Sequence, residues 1–251
     1  MRTRTKVLKQ AFTATMLLPL TAYANSAGYF TDWLLSGSFG IYQYESGTKN
    51  LQYVVTELET DRMIQRTSRH APMFGVALKK PVYQNTYLQG LSIGPALYYQ
   101  RANFTGAVLQ YDDWLFNNYN YNMGGNVYNG FIEAEALLKP FYKAISPVVV
   151  LGVGASYARL DYHDYPAYSD VAEEGRMKTS GHSNAKFAFE AGAGIAFPLL
   201  SNLKGRLNYL YQNTGRTTTQ IYNATGIANV SISNRMDSHN LLFSVVYQIG
   251  S

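Results

Sequence analysis

Along this chain apolar residues alternate with small or polar ones in a run of short segments. In the last segment Leu241, Phe243, Val245, Tyr247 and Ile249 fall on one side, and Asn240, Ser244 and Gln248 on the other. A period of two marks a β-strand, because successive side chains point to opposite faces. The same alternation sets Phe39 and Ile41 against Ser36, Ser38 and Gly40, and Val149, Leu151, Val153 and Ala155 against Gly152, Gly154 and Ser156. Phe187, Phe189, Ala191, Ala193, Ile195 and Phe197 oppose Asn184, Lys186, Glu190, Gly192 and Gly194. The pattern predicts eight strands, at 34–44, 71–80, 87–101, 127–139, 147–162, 182–197, 203–213 and 238–249. Pro95 stands among Leu91, Ile93 and Leu97 of the third. Since proline offers no N–H to a ladder, a bulge is expected there.

The connections decide what kind of sheet this is. They alternate long and short: 45–70 then 81–86, 102–126 then 140–146, 163–181 then 198–202, and 214–237 last. A transmembrane barrel has short turns at one end and long loops at the other, and its narrow interior takes the Gly, Ser, Ala and Asn that make up most of the polar face. The expected fold is therefore all-β: an eight-stranded antiparallel transmembrane β-barrel with short periplasmic turns and long extracellular loops. A soluble lipocalin-like barrel is the rival, but it lacks so regular an alternation and would not turn Phe187, Phe189, Ile195 and Phe197 outward. No window offers about 18 uncharged apolar residues, which excludes membrane-spanning helices. Thr217–Ile221 with Asn229–Ser233 could extend the last hairpin beyond the membrane, closed by a turn at Ala224-Thr225-Gly226.

The first 24 residues read as an export signal. Arg2, Arg4, Lys6 and Lys9 precede an apolar run from Ala11 to Leu20, and Ala22-Tyr23-Ala24 forms a small-x-small cleavage site. Residues 25–251 are expected to form one barrel domain in the cell outer membrane. The net charge of +5 is largely the leader's: without those four residues, 17 Lys and Arg face 16 acidic residues. No nucleic-acid footprint remains. With no cysteine, stability must come from the backbone ladder and packing. The 22 tyrosines suit the two headgroup levels of a bilayer, where amphipathic rings settle. Trp33, Tyr29 and Tyr142 are expected at the periplasmic level, Tyr99, Tyr157 and Tyr211 at the outer one. Lys79, Lys80, Lys139, Lys143 and Lys204 lie near the short turns.

Strand parity points Glu133, Glu135, Lys186, Glu190 and Arg206 into the lumen. An eight-stranded interior is only wide enough for side chains to fill. These charges are expected to pair and plug it, the alternatives being an ion path or a catalytic carboxylate. Asp161, His163 and Asp164, and Asp170, Glu173 and Glu174, have no metal-ligand spacing, and no phosphate-binding glycine loop appears. No cofactor and no metal is expected.

His182-Ser183-Asn184-Ala185, with Glu190 downstream, resembles the signature of outer-membrane lipid A deacylases, with one departure. In that family one residue separates the His from the Ser, whereas here they are adjacent, so a bulge would be needed to bring base and nucleophile together. Across 25–251 the chain resembles the small eight-stranded outer-membrane proteins, the OmpA-type transmembrane domain and opacity-type surface proteins. The leader, the loop alternation and the Leu241, Phe243, Val245, Tyr247, Ile249 strand carry the likeness. That strand resembles the signal read by the outer-membrane assembly machinery, although here Gly250-Ser251 follow it. The resemblance implies a non-enzymatic surface protein, its barrel a scaffold and its loops the site of adhesion or surface interaction. The implied partners are outer-membrane lipid and lipopolysaccharide, the assembly machinery, and host surface ligands through the loops. A narrow pore and a lipid A-modifying enzyme are the alternatives.

Overall fold

The computed structural model describes residues 33–44, 48–52, 60–68, 70–109, 113–141, 144–170, 178–179, 182–222 and 230–249. Residues 1–24, Tyr29, Tyr142, Lys143 and residues 224–226 lie outside them. The described chain is almost all antiparallel strand: β1 Trp33–Tyr44, β2 Thr48–Gln52, β3 Thr60–Ser68, β4 Ala71–Tyr83, β5 Leu88–Leu109, β6 Tyr119–Leu138, β7 Ser146–Pro166, β8 Lys178–Thr179, β9 His182–Leu200, β10 Leu203–Tyr222 and β11 Val230–Ile249. Among the described residues no helix is long and apolar enough to cross a membrane.

Eight strands close into a barrel. β1 pairs with β4, β4 with β5, β5 with β6, β6 with β7, β7 with β9, β9 with β10, β10 with β11, and β11 returns to β1. Closure leaves no sheet edge in this ring, so every strand has two neighbours for its backbone groups. The short turns are tied locally: Asn85 Oδ1 accepts from the backbone N–H groups of Tyr87 and Leu88, both at 2.8 Å.

The expected face assignment holds through this ring. Phe39, Leu151, Phe187 and Phe243 point outward and are exposed, while Ser36, Glu133, Asn208 and Ser244 point inward and are buried. Leu241, Phe243, Val245 and Tyr247 of the terminal strand all face outward. An outward face of Leu, Val, Ile and Phe over a polar interior is the pattern of a barrel in lipid.

Two expectations need correction. Most of the long loops are not loops, because β5, β6, β10 and β11 each run eight or nine residues, and β7 four, further than the alternation of aliphatic residues suggested. The 217–221 segment does pair with 230–234, as the last-hairpin extension requires. Pro95 makes no bulge: it pairs in register with Ile132, and the β4–β5 ladder keeps its register from Ala77–Ala96 to Lys80–Ile93 while passing over Leu78 and Lys79. The missing donor is absorbed by skipping ladder positions, with no residue added. Irregularities instead fall elsewhere, one of them at Asn213/Arg216, where Gly215 takes a φ of 75°. That left-handed conformation is open to glycine at no steric cost.

At the long-loop end a second storey stands on the first. β3 pairs with the far end of β5 where β4 has ended, β8 pairs with both β7 and β10 beyond the start of β9, and β2, paired to β3, comes up beside β11. In this storey the faces reverse. Phe104, Tyr121, Met123, Leu160, Tyr162 and Met236 are buried inside. Arg101, Asn103, Asn122, Arg159, Asp161 and His163 are exposed outside. Polar outside and apolar inside is the arrangement of a protein in water, so the change of face locates one edge of the lipid.

That edge is marked by a row of tyrosines. Tyr99, Tyr128 and Tyr157 are register neighbours on β5, β6 and β7, with ring centroids 5.4 and 6.4 Å apart. Eight residues separate Tyr99 from Leu91 near the short turns, about 26 Å along the strand, or roughly 20 Å of height at barrel tilt. Tyr211, also expected at this level, packs on His239 at 5.4 Å.

Candidate functional site

The lumen of the membrane storey holds the charged residues. Glu133, Glu135, Glu190 and Arg206 are all buried, and Lys79 joins them at 4 % exposure. Lys79 Nζ lies 2.5 Å from Glu133 Oε2 and 2.7 Å from Glu135 Oε2, and Arg206 Nη1 lies 2.5 Å from the same Glu135 oxygen. Glu135 thus joins both cations. Tyr98 OH donates to Glu133 Oε1 at 2.6 Å, and Gln212 Nε2 donates to Glu190 Oε2 at 2.8 Å. Lys79 was expected beside a turn. Its neighbour Lys80 suggested a basic turn end, but Met73, Gly75, Ala77 and Lys79 share one strand face, and that parity carries the last of them inside.

Lys186 does not join the network. It lies on the lumen parity of β9, four residues toward the long-loop end from Glu190, and is half-buried. At about 3.3 Å per residue this sets it roughly 13 Å along the strand from the cluster.

Two glycines make room for the large lumen side chains. Gly152 is the register partner of both Glu133 on β6 and Glu190 on β9, and a Cβ there would lie 2.5 Å from Glu190 Oε1. Gly75 pairs with Tyr98, whose ring would meet a Cβ at 2.4 Å. Glu133 and Glu190 thus flank the bare Gly152 backbone from its two neighbouring strands.

Above the charges sits a neutral polar layer. Gln100 Nε2 donates to Gln212 Oε1 at 2.9 Å and to Asn240 Oδ1 at 3.2 Å, and Tyr44 OH donates to Gln100 Oε1 at 2.9 Å. Higher still, the Tyr44 ring packs on Phe104 at 5.1 Å, and Tyr121 stacks on Tyr162 at 5.8 Å. Tyr42 OH donates to the Arg101 carbonyl. A cavity of about 10 Å³ lies at the charge level, lined in part by Lys79, Glu135, Arg206 and Asn208. That is at the lower edge of what one water needs.

The other candidate sites come apart. The β7–β9 register runs without interruption through Arg159–Ser183 and Leu160–His182, so the backbone supplies no bulge at the His182-Ser183 pair. Asp161 and His163 are exposed on the outer wall, whereas Asp164 is buried within it and accepts from Tyr162 OH at 3.4 Å. The Glu173 and Glu174 segment lies outside the described residues.

The far end carries a further feature that periodicity did not reveal. Between β5 and β6 a short 3-10 turn, Trp114–Phe116, is capped by Asp113, whose Oδ1 accepts from the Leu115 N–H at 2.9 Å. Arg62 lies over the Trp114 ring at 5.9 Å. Trp114 and Leu115 are nevertheless 67 % and 86 % exposed, and Phe116 is exposed beside them.

No protein-family model matches the chain, and no curated protein matches it. Among solved structures it is similar to the Neisserial surface protein A, at 10 % identity over 86 % of this chain and 97 % of that one, with a TM-score of 0.45. It is similar to the outer membrane protein OprG from Pseudomonas aeruginosa, at 12 % identity over 88 % and 97 %, TM-score 0.46. It is also similar to Ail, the attachment invasion locus protein of Yersinia pestis, solved with the heparin analogue sucrose octasulfate, at 11 % identity over 87 % and 99 %, TM-score 0.37. The resemblance runs to small outer-membrane β-barrels and is one of fold.

Proposed function

We propose that this chain is a non-enzymatic surface protein of the bacterial outer membrane, in which a plugged barrel is the anchor and the outer storey is the recognition element. One observation carries the reading. The wall continues past the tyrosine row with its faces reversed, so the far end is a packed β-structure in water that presents side chains from fixed positions. Trp114, Leu115 and Phe116 are its most prominent apolar group, held out by the Asp113 cap. Exposed, positioned aromatic residues are favoured anchors at protein interfaces.

The filled lumen supports an anchoring role over conduction, since Lys79, Glu135, Arg206, Gln100 and Gln212 bond to one another across it. On this reading the partners are outer-membrane lipid and lipopolysaccharide around the wall, a host surface ligand at the tip, and the assembly machinery, which meets Leu241, Phe243, Val245, Tyr247 and Ile249 before the barrel closes.

The test uses cells displaying wild type or the triple variant Trp114→Ala, Leu115→Ala, Phe116→Ala, matched by their heat-shifted band in outer-membrane fractions. Wild-type cells should adhere to epithelial monolayers or immobilised matrix proteins above vector controls, and the variant should lose most of that gain. Equal adhesion by both would refute a role for the tip, and failure of the wild type to fractionate with the outer membrane would refute the anchor.

A further inference from the structure

The outer wall of β5, β6 and β7 carries an ordered set of donors just above the tyrosine row. Arg101 pairs with Asn126, and Asn126 pairs with Arg159, so the three residues form one lateral row on adjacent strands. Each stands two residues beyond a tyrosine of the row below: Tyr99, Tyr128 and Tyr157. Arg101 and Arg159 are exposed, and Asn126 is half-buried between them. Two strand spacings separate the arginine backbones, about 10 Å.

The polar chemistry of the row is fixed from below. Tyr99 OH donates to Asn126 Oδ1 at 2.9 Å, which engages the amide oxygen from the row below. The row offers two guanidinium forks with an amide between them. Asn103 and Asp161 stand one row higher on either side of Gly124. Asp161, exposed two residues beyond Arg159, bounds the row on the side away from the membrane.

Depth selects the ligand. Immediately below the tyrosines the outward residues on these strands are Leu97 and Ala155, then Ile132 and Val153, all part of the lipid-facing belt. A donor row one step above such a belt stands where the headgroups of the surrounding leaflet lie. Guanidinium groups match phosphate bidentately and hold it more strongly than neutral donors do.

We propose that Arg101, Asn126 and Arg159 form a site for the phosphate of a phosphorylated glycolipid headgroup in the outer leaflet, whose acyl chains lie down the wall across Tyr128, Ile132 and Val153. This rests on the outer-membrane reading above and adds a bound lipid to it. Binding here fixes the depth and rotation of the barrel in its leaflet, and so the height at which the outer storey is presented.

Native mass spectrometry of the detergent-released full chain tests it, with bisphosphorylated lipid A and its enzymatically dephosphorylated form as probes. Wild type should retain the bisphosphorylated lipid about tenfold better than the dephosphorylated one, as expected when charge-assisted bonds are lost. The double variant Arg101→Gln, Arg159→Gln should lose that preference, while Lys139→Gln at the short-turn end keeps it. Equal retention of both lipids by wild type, or an unchanged preference in the double variant, overturns the site. Displacement by millimolar inorganic phosphate overturns the lipid assignment in favour of a general anion site. The heat-shifted band in outer-membrane fractions is read separately, so failure of the site and failure of the outer-membrane reading are distinguishable.

Discussion

Lys79 and Glu135, on strands β4 and β6, meet across the lumen at 2.7 Å, and the same Glu135 oxygen takes Arg206 from β10. One carboxylate thus ties three non-adjacent strands together inside the membrane storey. Removing a partner from a buried ion network costs far more than the network contributes relative to an apolar core, because the remaining charges are left uncompensated.

Glu135→Gln is therefore expected to lower the stability of the folded barrel by about 3–5 kcal/mol. Urea unfolding in lipid vesicles, followed by the heat-shifted gel band, measures it. A loss under about 1 kcal/mol, the range of exposed pairs, would mean that Glu135 does not hold both cations.

Gly152 separates two predictions that composition alone would merge. Gly152→Ala places a methyl carbon against the Glu190 carboxyl and should destabilise by about 1–3 kcal/mol, as overpacking does. Gly37→Ala, on the open outer face of β1 with nothing within 4 Å of its added carbon, should change stability by less than about 0.5 kcal/mol. The same unfolding assay applied to both would refute the lumen packing if they behaved alike.

The edge of the lipid is expected to fall between Leu97 and Asn103 on a single strand face. Val153→Arg, four residues below Tyr157 on the lipid-facing wall, should cost about 2–4 kcal/mol as expected near the bilayer midplane, whereas Asn103→Arg should be close to neutral. Similar penalties at both positions would extend the membrane over the outer storey and contradict the reversal of faces.

Planar bilayers should stay electrically silent with the wild-type protein, because ion-paired and aromatic side chains fill the path. Discrete, reproducible conductance steps from protein that shows the heat-shifted band would restore the narrow-pore alternative.

The membrane storey was legible in the sequence because lipid imposes a strict rule: along each strand, apolar residues alternate with small or polar ones. Parity alone placed Glu133, Glu135, Glu190 and Arg206 inside, and it would have placed Lys79, Tyr98, Gln100 and Gln212 there as well had it been applied to every residue of β4, β5 and β10. The outer storey was missed for a physical reason. Beyond Tyr99 the alternation continues with reversed sign, as in Ala102 and Phe104 against Arg101 and Asn103, or Tyr121 and Met123 against Asn122. Reading only for outward apolar residues makes such a stretch look like loop. Pro95 misled in the opposite way, since a closed ladder can omit ladder positions opposite a proline without shifting register.

The reversal of faces is tested most directly by single cysteines, which the chain's complete lack of cysteine makes clean to read. Cysteines at 97, 98, 101, 102, 103 and 104 of β5 would be exposed in whole cells to a membrane-impermeant maleimide. Labelling is expected at the outward positions 101 and 103, with protection at 97, which faces lipid, and at 98, 102 and 104, which face the packed interior. Rapid labelling at 102 and 104 together with 101 and 103 would make residues 102–109 a solvated loop and contradict the two-storey barrel.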